Sequence, residues 1–149
     1  MRDLGLGLIV ITNQSGIERG YFTEETLDKI HSRMNELLEA EGVKLDDILY
    51  CPHLPGGCGC RKPQLGLLKI AMEKHKFEMR NCYVIGDNFC DLDFGMNAGV
   101  PSFLVKTGYG AEIVRKKRTC YKDIVVEDLK EASDQIERFL TIDDLIGEA

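Results

Sequence analysis

Apolar positions along this chain fall into two alternating textures. Short, nearly continuous apolar runs rich in β-branched residues occur at Leu6-Gly7-Leu8-Ile9-Val10-Ile11, Ile48-Leu49-Tyr50, Cys82-Tyr83-Val84-Ile85, Phe103-Leu104-Val105 and Ile124-Val125-Val126. Such runs have the composition of buried strands, and the first and third end in polar turns. Between them, apolar residues recur at helical intervals. After Thr23, a candidate N-cap followed by Glu24 and Glu25, the series is Leu27, Ile30, Met34, Leu37 and Leu38, with Gly42 as a natural stop. A second helix is predicted from near Leu65 and a third from Cys90 to Ala98. A last one carries Leu129, Ala132, Ile136, Phe139 and Leu140. Strands alternating with helices predict an α/β protein built on a parallel sheet, whose crossovers are the helices.

The 149 residues suffice for one ordinary core, and no repeat or linker divides them. One domain over residues 1–142 is expected, with an acidic end from Asp143 to Ala149 that is expected to fray. A net charge of -6 argues against a nucleic-acid binder, because phosphate affinity comes from clustered cations. The basic run Arg115-Lys116-Lys117-Arg118 therefore reads as a solvated face. No apolar stretch approaches the ~20 residues of a membrane span, and Met1-Arg2-Asp3 does not open a signal peptide, so neither a membrane partner nor export is expected. The expected location is the cytoplasm.

In open parallel sheets, ligands bind beyond the carboxyl ends of the strands. Two polar segments fall there, Thr12-Asn13-Gln14-Ser15 and Asp87-Asn88. Thr12 can donate its hydroxyl, and the small residues after it their backbone N–H groups, to a phosphate oxygen. The same residues also suit a plain turn and cap. Asp87 can offer a carboxylate to Mg²⁺, whose hard charge prefers oxygen, or can simply stabilise a helix N-terminus, with Asp91 orienting the loop. Lys62, between Arg61 and Pro63, can place a cation in a strand-end crevice or remain a solvated surface residue.

The strongest local signal is Cys51-Pro52-His53-Leu54-Pro55-Gly56-Gly57-Cys58-Gly59-Cys60. Three thiols and an imidazole in one loop make a complete tetrahedral Zn²⁺ set: Cys51, His53, Cys58 and Cys60. One residue separates each pair, which is not zinc-finger spacing, so the inference rests on ligand identity and on the Gly and Pro between them. Four protein ligands leave no position for a catalytic water. This zinc is therefore read as structural, shaping the loop that presents Arg61 and Lys62. His31 and His75 lack a partner carboxylate in any motif and read as surface or packing residues. Cys82, Cys90 and Cys120 read as small hydrophobes.

Taken in order, the Thr12 loop, Arg61-Lys62-Pro63 and Gly86-Asp87 with Asp91 resemble the second, third and fourth motifs of the haloacid dehalogenase phosphatases. Thr12-Asn13-Gln14-Ser15-Gly16-Ile17-Glu18-Arg19-Gly20, joined to the Cys-His-Cys-Cys loop, resembles the D-glycero-D-manno-heptose 1,7-bisphosphate phosphatases in particular. Cys51-Pro52-His53-Leu54-Pro55 also resembles the histidinol-phosphate phosphatases. The resemblance implies a Rossmann-like fold and a Mg²⁺-dependent sugar-phosphate hydrolase with a small-molecule substrate, its 7-phosphate passing through an aspartyl-phosphate. It implies that Thr12 and Lys62 stabilise the phosphoryl group, that Asn13, Gln14, Ser15 and Arg61 contact substrate, and that Asp87 binds Mg²⁺. At Asn88 many of the heptose enzymes carry a substrate-binding lysine, so a weaker contact is expected there.

The family opens with a central strand ending in Asp-x-Asp, the nucleophile and the acid–base. No strand predicted here ends that way. Met1-Arg2-Asp3-Leu4-Gly5 resembles instead the end of the helix that follows that strand. The sheet is therefore expected to lack its first strand, and the chain by itself to be poorly stable or self-associating and to be inactive, which leaves a non-catalytic phosphate-binding or regulatory protein as the rival reading.

Overall fold

The computed structural model describes residues 1–116 and 124–147, with side chains described up to Thr141. The chain forms two compact units, Arg2–Phe77 and the residues from Glu78 onward together with Met1. The parallel α/β architecture expected from the alternating apolar textures is present in both.

In the first unit, strand β1 (Ile9–Asn13) pairs in parallel with β2 (Asp47–Cys51), Ile9 standing opposite Asp47 and Asn13 opposite Cys51. Helix α1 (Glu24–Ala40) is the crossover that parallel pairing requires, and Thr23 caps it by accepting the N–H of Thr26 at 3.2 Å. The apolar run before β1 stays outside the strand. A 3-10 turn over Arg2–Leu4 precedes it, and the ladder is seeded where Asp46 N–H meets the carbonyl of Leu8 at 2.8 Å. Of the predicted α1 stripe only Leu27 is fully buried, while Ile30 and Leu37 are 53% and 54% exposed. A two-stranded sheet, with strands about 4.8 Å apart, is too narrow to cover a full helical stripe. Helix α2 (Gly66–His75) buries Leu67 and Ala71 and ends at Lys76, in the left-handed conformation.

The second unit holds β3 (Val84–Gly86), α3 (Phe89–Ala98), β4 (Ser102–Val105), a short helix α4 (Gly110–Arg115), β5 (Val125–Val126) and α5 (Leu129–Gly147). Its strands run parallel in the order β3-β4-β5. All of β4 is buried, as the middle strand of a sheet covered by helices should be. Leu92, Phe94, Leu104, Val126, Ala132 and Ile136 complete this core. Phe139 of α5 adds two ring contacts, with Phe103 at 6.1 Å and Tyr83 at 6.4 Å.

The parallel sheet, expected to lack its first, central strand, is realised among the described residues as two ladders. β1 and β3 are each the end strand of their own ladder. Helix α4 was not legible in the apolar pattern. In the basic run, Arg115 and Lys116 are exposed and Lys116 pairs with Glu112 at 2.6 Å, whereas Lys117, Arg118 and Cys120 lie outside the described residues. The side chains of the acidic end also lie outside them, and α5 continues helical to Gly147. No helix of the described residues is long and apolar enough to cross a membrane.

Candidate functional site

The end of β1 and the turn after the cysteine loop are stitched together by one side chain. Asn13 donates Nδ2–H to the carbonyl of Lys62 at 3.1 Å, and its Oδ1 accepts the N–H of Lys62 at 3.0 Å. The amide thereby satisfies both backbone groups of the lysine, as a neighbouring strand would. The Lys62 ammonium donates to the carbonyl of Ile11 in β1 at 2.6 Å, and the bond from Lys62 to Pro63 is cis. Thr12 Oγ1 accepts from the Gln14 amide at 3.1 Å, and Gln14 N–H reaches the carbonyl of Cys51 at 2.7 Å. Of the residues predicted here, Thr12 meets Gln14 and Asn13 meets Lys62. Ser15 opens the tight turn that runs to Gly20, accepting the N–H of Arg19 at 3.1 Å.

The loop from Cys51 to Cys60 brings its four candidate donors within 4.8 Å of one another. The sulfurs of Cys51, Cys58 and Cys60 stand 3.1–3.5 Å apart, and His53 Nδ1 lies 3.6 Å from Cys51 Sγ and 3.3 Å from Cys60 Sγ. Donors arranged tetrahedrally around Zn²⁺, with bonds of about 2.0–2.3 Å, stand roughly 3.3–3.8 Å apart, so the set fits that ion with little adjustment. The crowding has an electrostatic signature. Hydrogen bonding from Cys60 holds the Cys58 thiol down at about 6, while burial and the neighbouring sulfurs push Cys60 up to about 12. Three thiolates cannot coexist there without a cation to offset them. Gly66, the first residue of α2, donates its N–H to the carbonyl of Gly59 at 3.0 Å. A Cβ at Gly66 would strike that same carbonyl, so the close seat of loop on helix needs glycine.

Two charged groups hold the same loop from outside. Glu18 Oε2 accepts the N–H of Leu54, and Arg61 Nη1 donates to the carbonyl of His53 at 3.0 Å. Arg61, predicted as a substrate contact, is used here on the loop backbone.

In the second unit, Asp87 follows β3 directly. Its Oδ2 accepts the N–H of Tyr109 at 3.0 Å, beside Gly108, which takes a positive φ of 63° and has no room for a side chain against that carboxylate. Carboxylate oxygens suit Mg²⁺, and the half-buried Asp87 presents one such group at a strand end. Asn88 caps α3 in a capping box with Asp91: its side chain accepts the N–H of Cys90 at 3.4 Å, and Asp91 Oδ2 accepts the N–H of Asn88 at 3.0 Å. The orienting reading of Asp91 matches this geometry, and Asp91 is 5% exposed.

One sequence reading is corrected. His75 does have a carboxylate partner, because α2 returns its last turn to the start of β2, where His75 Nε2 and Lys74 Nζ each lie 2.8 Å from Asp47 Oδ2. Burial alone would raise the Asp47 carboxyl, but the His75 and Lys74 hydrogen bonds outweigh it and hold it below the usual carboxylate range. Glu18, Asp47 and the backbone role of Asn13 were all missed by pattern reading, since their partners lie far along the chain.

The HAD-hydrolase-like family matches residues 59–132. D-glycero-alpha-D-manno-heptose-1,7-bisphosphate 7-phosphatase of Photorhabdus laumondii is 39% identical over 118 residues, covering 73% of this chain and 64% of that protein. The chain thus spans just under two thirds of that relative's length. D-glycero-beta-D-manno-heptose-1,7-bisphosphate 7-phosphatase of Haemophilus ducreyi is 36% identical over 138 residues, covering 87% of this chain and 74% of that protein. Among solved structures, D,D-heptose 1,7-bisphosphate phosphatase from B. bronchiseptica, complexed with magnesium and phosphate, superimposes with a TM-score of 0.82. It is 32% identical, and the match covers 92% of this chain and 77% of that one.

Proposed function

The chain belongs to the haloacid-dehalogenase-like phosphatases, in the family of the heptose-1,7-bisphosphate 7-phosphatases, and on that premise we propose that it is the greater part of a sugar-phosphate monoesterase. Its substrate is D-glycero-D-manno-heptose 1,7-bisphosphate, and the reaction removes the 7-phosphate. The observation that carries this reading is the reciprocal pair between Asn13 and Lys62, which joins the second phosphate motif to the third.

In the proposed mechanism, Thr12 and Lys62 stabilise the phosphoryl group as charge builds on its oxygens. Gln14, Ser15, Arg61 and Asn88 contribute to the substrate surface. Asp87 holds Mg²⁺, which when bound supplies positive charge against the phosphoryl oxygens. Cys51, His53, Cys58 and Cys60 hold Zn²⁺, which shapes the loop and takes no part in the chemistry. Residues 1–142 act as one domain, working in the cytoplasm.

Among these residues the one Asp-x-Asp string is Asp91-Leu92-Asp93, and it lies inside α3 with Asp91 committed to the cap. The 149 residues by themselves are therefore proposed to release no phosphate. A second reading, histidinol-phosphate hydrolysis, is favoured by the string Cys51 to Pro55.

The test uses protein isolated from its source cells and both substrates, with ³¹P NMR to show which phosphate leaves. Mg²⁺-dependent loss of the 7-phosphate is expected, abolished by Asp87→Ala. Faster turnover of histidinol phosphate would replace the heptose reading with the second one. Turnover by the 149-residue chain alone, if lost in Asp87→Ala, would overturn the proposed inactivity.

A further inference from the structure

The peptide bond that follows the histidine of the metal loop is gripped at both of its polar atoms. The carbonyl of His53 accepts from Arg61, and the N–H of Leu54 is donated to Glu18. These two atoms belong to a single planar unit, so a donor on one side and an acceptor on the other fix its plane and thereby the backbone from which the imidazole projects. Glu18 stands on a firm base. The turn carrying it is closed by Ile17 N–H to Gln14 O at 3.1 Å, Arg19 N–H to Ser15 O at 3.1 Å, and Tyr21 N–H to Gly16 O at 2.8 Å. Its carboxylate reaches 36 residues along the chain to the loop.

We propose that Glu18 is a positioning residue for the metal loop, setting the approach of His53 to the three sulfurs through its hydrogen bond to Leu54. This rests on the zinc reading of Cys51, His53, Cys58 and Cys60. Electrostatics gives the idea a sign that can be checked. Zn²⁺ with three thiolates carries a net charge of 2 − 3 = −1. A carboxylate nearby disfavours that anion, so if Glu18 acted by charge alone, removing it would tighten metal binding. A positioning role requires the opposite.

The 149-residue chain is titrated with Zn²⁺ against a chromophoric chelator and with Co²⁺ followed by its absorption bands, for the wild type, Glu18→Ala and Glu18→Gln. Glutamine keeps an acceptor for Leu54 N–H and loses the charge. Glu18→Ala is expected to bind Zn²⁺ roughly 10- to 100-fold more weakly and to shift the Co²⁺ ligand-field bands. Glu18→Gln is expected to stay within about threefold of wild type. Far-UV circular dichroism of the metal-loaded variants checks that each is folded. Equal or tighter binding by Glu18→Ala would overturn the proposal, as would a Glu18→Gln as weak as Glu18→Ala. Absence of thiolate-to-cobalt charge transfer in the wild type would overturn the zinc reading itself, and this one with it.

Discussion

The loop after β2 and the loop after β3 both lead from a parallel strand into a helix, yet they are held in opposite ways. The first is fastened from a distance. Asn13 holds the Lys62 backbone, Glu18 and Arg61 hold the peptide after His53, and four candidate metal donors draw its middle together. The second is fastened chiefly by its own neighbours, Asn88 and Asp91 closing a capping box within the first turn of α3, with one longer reach where Asp87 accepts the N–H of Tyr109. A loop of fourteen residues, Pro52 to Leu65, with no helix or strand of its own needs outside restraint, whereas a helix start can restrain itself. Zinc, accordingly, should matter to the first and leave the second unchanged.

Removing zinc is the severest trial of that contrast. Chelation is expected to lower the apparent stability of the first unit by about 4 kcal/mol, if zinc had stood at a thousand times its dissociation constant. In hydrogen exchange, amides from Cys51 to Arg61 should lose protection while those from Phe89 to Ala98 keep theirs. Equal losses in both segments would erase the distinction. A milder comparison sets Asn13→Ala against Asn88→Ala in urea unfolding followed by tyrosine fluorescence. The first removes two long-range hydrogen bonds from partly buried backbone and should cost about 1–3 kcal/mol. The second removes one helix cap and should cost about 1 kcal/mol. A reversed order would mean that the long-range stitch carries little.

The smallest effect concerns Asp47. Its carboxyl titrates below the usual range when folded, so its contribution is fully present above the unfolded value of about 3.9 and is lost as pH falls through the lower folded one. Asp47→Asn should cost about 1 kcal/mol at neutral pH, and its stability should decline less steeply than that of wild type below about pH 4. Parallel acid limbs for the two proteins would remove Asp47 from the account.

What was legible in the sequence follows the same division between local and distant. The cysteine loop announced itself because all four donors lie within ten residues, and a helix start near Asp87 with Asp91 orienting the loop was legible, although Asn88 was not read as its cap. The strands were recognisable from their β-branched runs, though β1 begins three residues later than its apolar run, where pairing with β2 sets in. The clamp of Asn13 on Lys62 spans 49 positions and that of Asp47 on His75 spans 28, and no periodicity encodes either. Both appear only once a crossover has carried one element back beside another. Helix α4, with six residues, is too short to establish a period.

Strand β2 carries a different fastening at each end. Asp47, at its start, is tied to the last turn of α2, and Cys51, at its finish, enters the sulfur cluster. The two knots answer to different reagents. Acid loosens the first by protonating the carboxylate, whereas alkylating or oxidising agents reach the second through Cys58, whose thiol hydrogen bonding from Cys60 holds down at about 6 when no metal protects it. Three residues of extended chain, Ile48 to Tyr50, thus separate a proton-sensitive anchor from a redox-sensitive one.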